Sequence, residues 1–120
     1  MKIAITTSGF DMNAPVDLRF GRARDFLVVD LETGNARYLE NREGVSAGQG
    51  AGIQAARLMA ADGVQVVLTG HCGPNAFRAL QAAGIRVYTG VTGGSVREAV
   101  EQFKAGALRE ATAADVQGHW

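Results

Sequence analysis

The chain contains a single cysteine, Cys72. One thiol makes no internal disulfide and no four-cysteine zinc or iron–sulfur site. Neither sign of charge is in excess, since 12 basic residues face 12 acidic ones. Nucleic-acid binders ordinarily carry a basic surplus, because neutralising phosphates supplies most of their affinity. Nucleic acid is therefore not an expected partner. Lysine is scarce: only Lys2 and Lys104 occur, and the other basic residues are arginines. Arginine offers a planar fork of donors suited to oxyanions, although a GC-rich genome gives the same bias. No apolar run approaches the roughly 20 residues that span a bilayer. Met1-Lys2-Ile3-Ala4-Ile5 runs straight into a strand pattern without the regions of a signal peptide. These absences speak against a membrane and against secretion, and the expected location is the cytoplasm.

What is present describes one ordinary domain. The chain has 120 residues, 47% of them hydrophobic, enough for a normal core. Ile3 to Thr6 reads as a first strand. Residues 10–24 form a polar loop with Pro15 and the charges of Asp17, Arg19, Arg22 and Arg24. Phe26-Leu27-Val28-Val29-Asp30-Leu31 is a continuous apolar run, and so a buried second strand. The turn Glu32-Thr33-Gly34-Asn35 leads to a third strand over Ala36 to Asn41, antiparallel to the second and polar enough for an edge.

Ala51 to Ala61 has helical periodicity, with Ile53, Ala55, Ala56, Met59 and Ala60 on one side and Gly63 as its stop. Gln65 to Thr69 is a fourth strand. Pro74 occupies the first position of a second helix, whose buried stripe is Phe77, Leu80 and Ala83, and Gly84 ends it. Ile85 to Thr89 is a fifth strand. Ser95-Val96-Arg97-Glu98 is a capping box opening a third helix with Val96, Ala99, Val100 and Phe103 on one face. Residues 107–120 show no period and read as a loosely attached tail to a domain over residues 1–106.

Right-handed crossovers make strands 1, 4 and 5 parallel. The expected fold is α/β: a five-stranded mixed sheet, ordered 3-2-1-4-5, with helices on its faces. That strand order matches the ribonuclease H-like three-layer architecture.

In open α/β sheets, ligands gather outside the carboxyl ends of the parallel strands. Three loops meet there: Thr7-Ser8-Gly9, Gly70-His71-Cys72-Gly73 and Gly90-Val91-Thr92-Gly93-Gly94. The second and third helices start from the last two. Their unpaired N–H groups and positive dipole ends suit an anion, with Ser8, Gly70, Gly73, Gly90, Val91, Thr92 and Gly93 as its lining. The plainer reading of these glycines is tight turns. His71 and Cys72 suit a soft or borderline metal. They are too few for a cage, but enough for one or two contacts to a cluster bringing its own sulfur. Cysteine also serves as a small buried hydrophobe. The arginines at 19, 22 and 24 read equally well as an anion contact or as a solvated face paired with Asp17 and Asp25. His119 reads as tail, though a second histidine can reach a metal.

Several enzyme motifs are missing. No glycine loop is followed by the Lys-Ser/Thr of a Walker sequence. Gly48-Gln49-Gly50-Ala51-Gly52 lacks dinucleotide spacing, and no Gly-x-Ser-x-Gly elbow occurs. Nucleases of ribonuclease H-like architecture place metal-binding carboxylates on the first strand, where this chain has Ile3-Ala4-Ile5-Thr6. Two-metal hydrolysis is not expected.

Three segments together resemble a known family. They are Arg19-Phe20-Gly21-Arg22-Ala23; Gly50-Ala51-Gly52-Ile53-Gln54-Ala55-Ala56; and Val67 to Phe77 leading into Ala83-Gly84-Ile85-Arg86-Val87-Tyr88-Thr89-Gly90. The family is that of dinitrogenase iron–molybdenum cofactor biosynthesis, NifX/NifB carboxy-terminal type, and the resemblance runs from about Lys2 to Lys104. It implies a ribonuclease H-like fold without nuclease activity. It also implies non-covalent binding of iron–molybdenum cofactor, its precursor or a related metal–sulfur cluster. Stand-alone members include the orange proteins, which hold a molybdenum–copper–sulfide cluster, and the chain is similar to that small type. His71-Cys72 stands in a loop that is often less ligand-like in the family. Its role does not transfer from the resemblance.

The expectation is a non-enzymatic carrier or scaffold for an anionic molybdenum-containing cluster, with cluster donor or acceptor proteins as partners. A metal-free interaction or regulatory module and a small phosphate or nucleotide binder are the alternatives.

Overall fold

The computed structural model describes residues 1–9, 11–18, 20, 25–40, 51–91 and 93–112, with the backbone alone for 51 and 52. Its elements are β1 (Lys2–Thr7), β2 (Asp25–Asp30), β3 (Ala36–Glu40), α1 (Ala51–Ala61), β4 (Val66–Leu68), α2 (Pro74–Ala82), β5 (Arg86–Thr89), α3 (Val96–Lys104) and β6 (Arg109–Glu110). They build one mixed sheet ordered β3-β2-β1-β4-β5-β6.

The first five strands lie in the order expected from the sequence. β1 pairs antiparallel with β2 and parallel with β4, and β4 pairs parallel with β5. The sheet has six strands, however, not five. Thr89 pairs with Arg109 and Tyr88 with Glu110, and Ala111 N–H donates to Val87 O at 2.7 Å. A strand of two exposed residues has no hydrophobic alternation to reveal it. Its partner, the open edge of β5, decides its conformation.

Alternation sorts the strand side chains onto two faces. Ala4, Phe26, Val28, Val67 and Val87 face one way, with Ala55, Ala56 and Met59 of α1 and Phe77 and Leu80 of α2. Ile3, Ile5, Leu27, Val29, Val66 and Leu68 face the other way, with Val96, Ala99 and Val100 of α3. The central strands are covered on both faces, which explains their unbroken apolar runs.

The ends of α1 fix its direction against the sheet. Lys2 Nζ donates to Asp62 O at 3.2 Å, just beyond the end of α1. Arg37, early in β3, pairs with Asp62 Oδ1 at 2.8 Å. The end of α1 therefore lies beside the start of β1, and α1 runs opposite to β1. α2 likewise runs back from the end of β4 to the start of β5. Both helices end in the same motif, with Val64 N–H donating to Met59 O (3.1 Å) and Ile85 N–H to Leu80 O (2.9 Å). Gly63 and Gly84 hold φ of 77° and 76° there, as a left-handed cap requires. No helix among the described residues is long and apolar enough to cross a membrane.

Candidate functional site

The carboxyl ends of β1, β4 and β5 meet at one edge. The segment after β1 crosses this edge and ties its loops together. Thr7 Oγ1 donates to Pro15 O (2.7 Å) and accepts from Gly9 N–H (3.1 Å). Asp17 N–H donates to Thr6 O at 2.8 Å. The buried Thr6 hydroxyl lies within hydrogen-bond reach of Asp17 O at 2.5 Å and of Thr69 Oγ1 at 3.1 Å. Sequence reasoning missed this threonine pair, which closes the gap between β1 and β4.

The start of α3 is sealed by the chain itself. Val96 N–H donates to Ala14 O at 2.9 Å and Arg97 N–H to Met12 O at 2.8 Å. Glu98 N–H donates to Ser95 Oγ, and Ser95 N–H to Glu98 Oε1, completing the capping box. The expectation that both helix starts offer free N–H groups therefore fails for α3. The carbonyls that occupy it come from a loop some eighty residues away in sequence.

The start of α2 differs. Gly73 is its N-cap residue and supplies no side chain, and Pro74 has no N–H to offer. The first helical bond is Phe77 N–H to Gly73 O at 2.9 Å. Among the described residues no side chain caps the helix, and no acidic residue lies in its first turn. The Arg78 guanidinium folds back along that turn, donating to Asn75 Oδ1 at 2.9 Å and Pro74 O at 3.4 Å. Arg78 was not anticipated. Its spacing of three from Asn75 is the signal that would have found it.

The sequence-expected residues distribute unevenly over this edge. Gly70 is buried and was expected to admit a ligand. Instead, a Cβ there would lie 2.8 Å from Leu18 O and 3.0 Å from Leu18 Cα. Its missing side chain admits the protein's own loop. Val91 was expected to line the site, but it is 3% exposed and packs in the core with α3 residues. Cys72 is 1% exposed, within the core cluster that also holds Phe20 and Phe26, its Sγ 3.8 Å from Gly73 O. His71 and Gly73 are half-buried, while Ser8 and Gly90 are exposed. Gly93 is half-buried, with nothing near the place of a Cβ. Arg19, Arg22, Arg24, Thr92 and His119 lie outside the described residues.

Leu18 and Phe20 meet the His71–Cys72 loop in the fold. His71 N–H donates to Leu18 O at 2.7 Å, and Phe20 N–H donates to His71 O at 3.2 Å. Leu18 and Phe20 are the chain neighbours of Arg19. Among the described residues, no three histidine, cysteine, aspartate or glutamate side chains converge to hold a bare metal ion. A cleft of about 260 Å³ lies elsewhere, around the far half of α2, lined by Phe77, Gln81, Ile85, Val87, Glu110 and Ala111 among others.

Known proteins share this geometry. The model of the dinitrogenase iron–molybdenum cofactor family matches residues 1–106. The chain is 32% identical over 115 residues to an uncharacterised protein of Methanocaldococcus jannaschii, covering 92% of this chain and 91% of that one. Its structure is similar to the apo form of the orange protein from Desulfovibrio gigas, with a TM-score of 0.93, 44% identity and 96% of each chain covered. A putative NifB protein from Thermotoga superimposes with a TM-score of 0.84 at 35% identity, over 96% of this chain and 97% of that one. The chain belongs to the dinitrogenase iron–molybdenum cofactor family.

Proposed function

We propose that the chain is a non-enzymatic carrier or scaffold for a preassembled, anionic molybdenum-containing metal–sulfur cluster, either a molybdenum–copper sulfide or one like iron–molybdenum cofactor. The observation that carries this reading is the open start of α2. Asn75 and Ala76 precede the first helical hydrogen bond, no side chain among the described residues caps them, and Arg78 adds a cation to the positive dipole end. Such a place is stabilised by a guest with negative charge. His71 stands beside it, half-buried. The arginines of residues 19–24 follow Leu18 in the chain and supply further charge-assisted donors.

In this reading the cluster is cargo. It brings its own sulfur, and the protein contributes N–H groups, guanidinium groups and one or two ligand atoms. His71 and Cys72 are the proposed ligand atoms, together with Ser8, Gly73, Gly90, Thr92 and Gly93 as lining. Cys72 ligates only if the loop of residues 70–73 opens, since its thiol is buried. Its replacement, Cys72→Ala, is expected to weaken retention of the cluster. Unchanged retention would remove the thiolate from the mechanism and leave the carrier intact. Donor and acceptor proteins that load and unload the cluster are implied by the carrier role. The ribonuclease H-like arrangement of the first five strands supplies a framework without strand carboxylates at Ile3 to Thr6.

The test is purification of the protein without oxygen, then its visible spectrum and metal content on one sample. Strong visible absorption with stoichiometric molybdenum is expected. A colourless, metal-free protein that also fails to take up tetrathiomolybdate with copper or iron would overturn the reading. A thermal-shift screen separates the phosphate alternative, because a ligand of the native state raises apparent stability by mass action. Stabilisation by nucleotides and not by thiomolybdate would favour that alternative.

A further inference from the structure

We infer that Asn75 is a positioning residue for Arg78: its side-chain oxygen holds the guanidinium back along the first turn of α2 without neutralising it, so that one fork of donors stands ready for an anion at that start. The inference rests on the carrier reading and adds to it a residue that acts through another.

Helix geometry brings the two side chains together. Each Cα–Cβ bond of an α-helix tilts toward the amino end, and residues three or four apart share a face. Arg78 therefore leans back toward Pro74 and Asn75. Its Nη2 donates to Asn75 Oδ1 at 2.9 Å and its Nε to Pro74 O at 3.4 Å. Nε and Nη2 form the side edge of the planar guanidinium. The end edge, made of Nη1 and the second N–H of Nη2, has no bond among the described residues. That edge is a fork able to meet two acceptor atoms at once.

Other arginines are held differently. Arg37 pairs with the Asp62 carboxylate at 2.8 Å, and Arg86 with that of Glu110 at 3.7 Å. Their charge faces a carboxylate of the same molecule. Arg78 is held by a side-chain amide and a main-chain carbonyl, both uncharged, and no acidic residue lies in the first turn of α2. Neutral acceptors fix where a cation lies and leave its charge in place. A long side chain loses rotamer entropy when a guest fixes it, and one already held loses less.

The test measures uptake of tetrathiomolybdate with copper(I) by the full chain over a range of salt. Asn75 and Arg78 are both exposed, and urea denaturation of each variant checks that the fold is kept. Asn75→Ala is expected to weaken uptake about threefold, as the held arginine becomes a minor population. Its salt dependence stays that of the wild type, since no charge is removed. Arg78→Gln flattens the salt dependence, and it costs less in the Asn75→Ala background than in the wild type. Arg78→Lys keeps the charge and loses the fork, so its uptake is expected to fall to about the level of Asn75→Ala. Should Asn75→Ala not fold, Asn75→Leu removes the oxygen at similar size, and the same losses are expected.

Equal costs of Arg78→Gln in the two backgrounds would overturn the inference. So would wild-type uptake by folded Asn75→Ala or by Arg78→Lys. In those outcomes the wild-type chain still takes up the probe, and the carrier reading survives. Failure of the wild-type chain to take up the probe overturns the carrier reading and the inference with it.

Discussion

Two helices begin at the same edge of the sheet, and the protein treats them in opposite ways. The start of α3 carries a serine cap, a glutamate returning to it, and two carbonyls delivered by Met12 and Ala14. The start of α2 carries a glycine, a proline and an arginine lying along its first turn. A helix start has up to four N–H groups without internal partners. Wherever they end up, those groups need an acceptor. α3 finds its acceptors inside the molecule, so a guest there would have to displace them. At α2 no side-chain cap is seen among the described residues, and the proposed reading puts an anion there. The local sequence announces this difference. Ser-x-x-Glu marks a start the protein uses for itself, and Gly-Pro marks one left open.

Closing the open start is the strongest way to test the contrast. Gly73 has ordinary extended dihedrals, φ −74° and ψ 170°, which any N-cap residue adopts. Gly73→Asp supplies a carboxylate that bonds the free N–H groups and repels an incoming anion. Uptake of tetrathiomolybdate with copper is expected to weaken by about tenfold or more, while stability rises by a few tenths of a kcal/mol. Titration of uptake and urea denaturation on the same variant measure both. Undiminished uptake would move the cargo away from α2.

Opening the closed start should lower stability and leave binding alone. Ser95→Ala removes the cap and is expected to cost about 1 kcal/mol in urea denaturation. Uptake of the probe should stay within about twofold, because Ala14 and Met12 still fill the start of α3. A large gain or loss of uptake would show that the two starts are not as separate as the hydrogen bonds imply.

The arginines at the two starts give the finest comparison. Arg78 lies along the open turn, while Arg97 sits at the sealed one, its N–H already bonded to Met12. Arg78→Gln is expected to weaken uptake several-fold, most at low salt, since both side chains are exposed and screened. Arg97→Gln is expected to change it little. Equal effects from both would mean that the cargo senses the overall positive field rather than the start of α2.

Much of this fold was legible because its signals are local. Val66-Val67-Leu68 and Phe26 to Val29 are apolar without break because both faces of those strands are covered, and the caps at Ser95, Pro74 and Gly63 mark boundaries by their own backbone needs. What escaped was non-local. Arg109–Glu110 becomes a strand only because β5 has an unpaired edge. The start of α3 closes only because Met12 and Ala14 arrive from the other end of the chain. Val91 and Gly70 looked like ligand contacts in the sequence, since glycine-rich loops at a sheet edge read alike whether they face a guest or another loop. The core beneath α3 claims one and Leu18 the other. Cys72 read as ligand or as core, and in the fold its side chain belongs to the core cluster that holds Phe20 and Phe26.

The common direction of α1 and α2 also shapes how the molecule meets others. Each helix carries roughly half a positive charge at its start and half a negative one at its end. Both starts lie toward the edge where β1 and β4 finish, and the end of α1 lies beside Lys2 and Arg37. The chain has no net charge, so it feels little overall pull toward another protein. If the proposed carrier meets a loading partner with a negative surface, alignment of the open edge would speed the encounter, and the rate should fall as salt shortens the reach of the field.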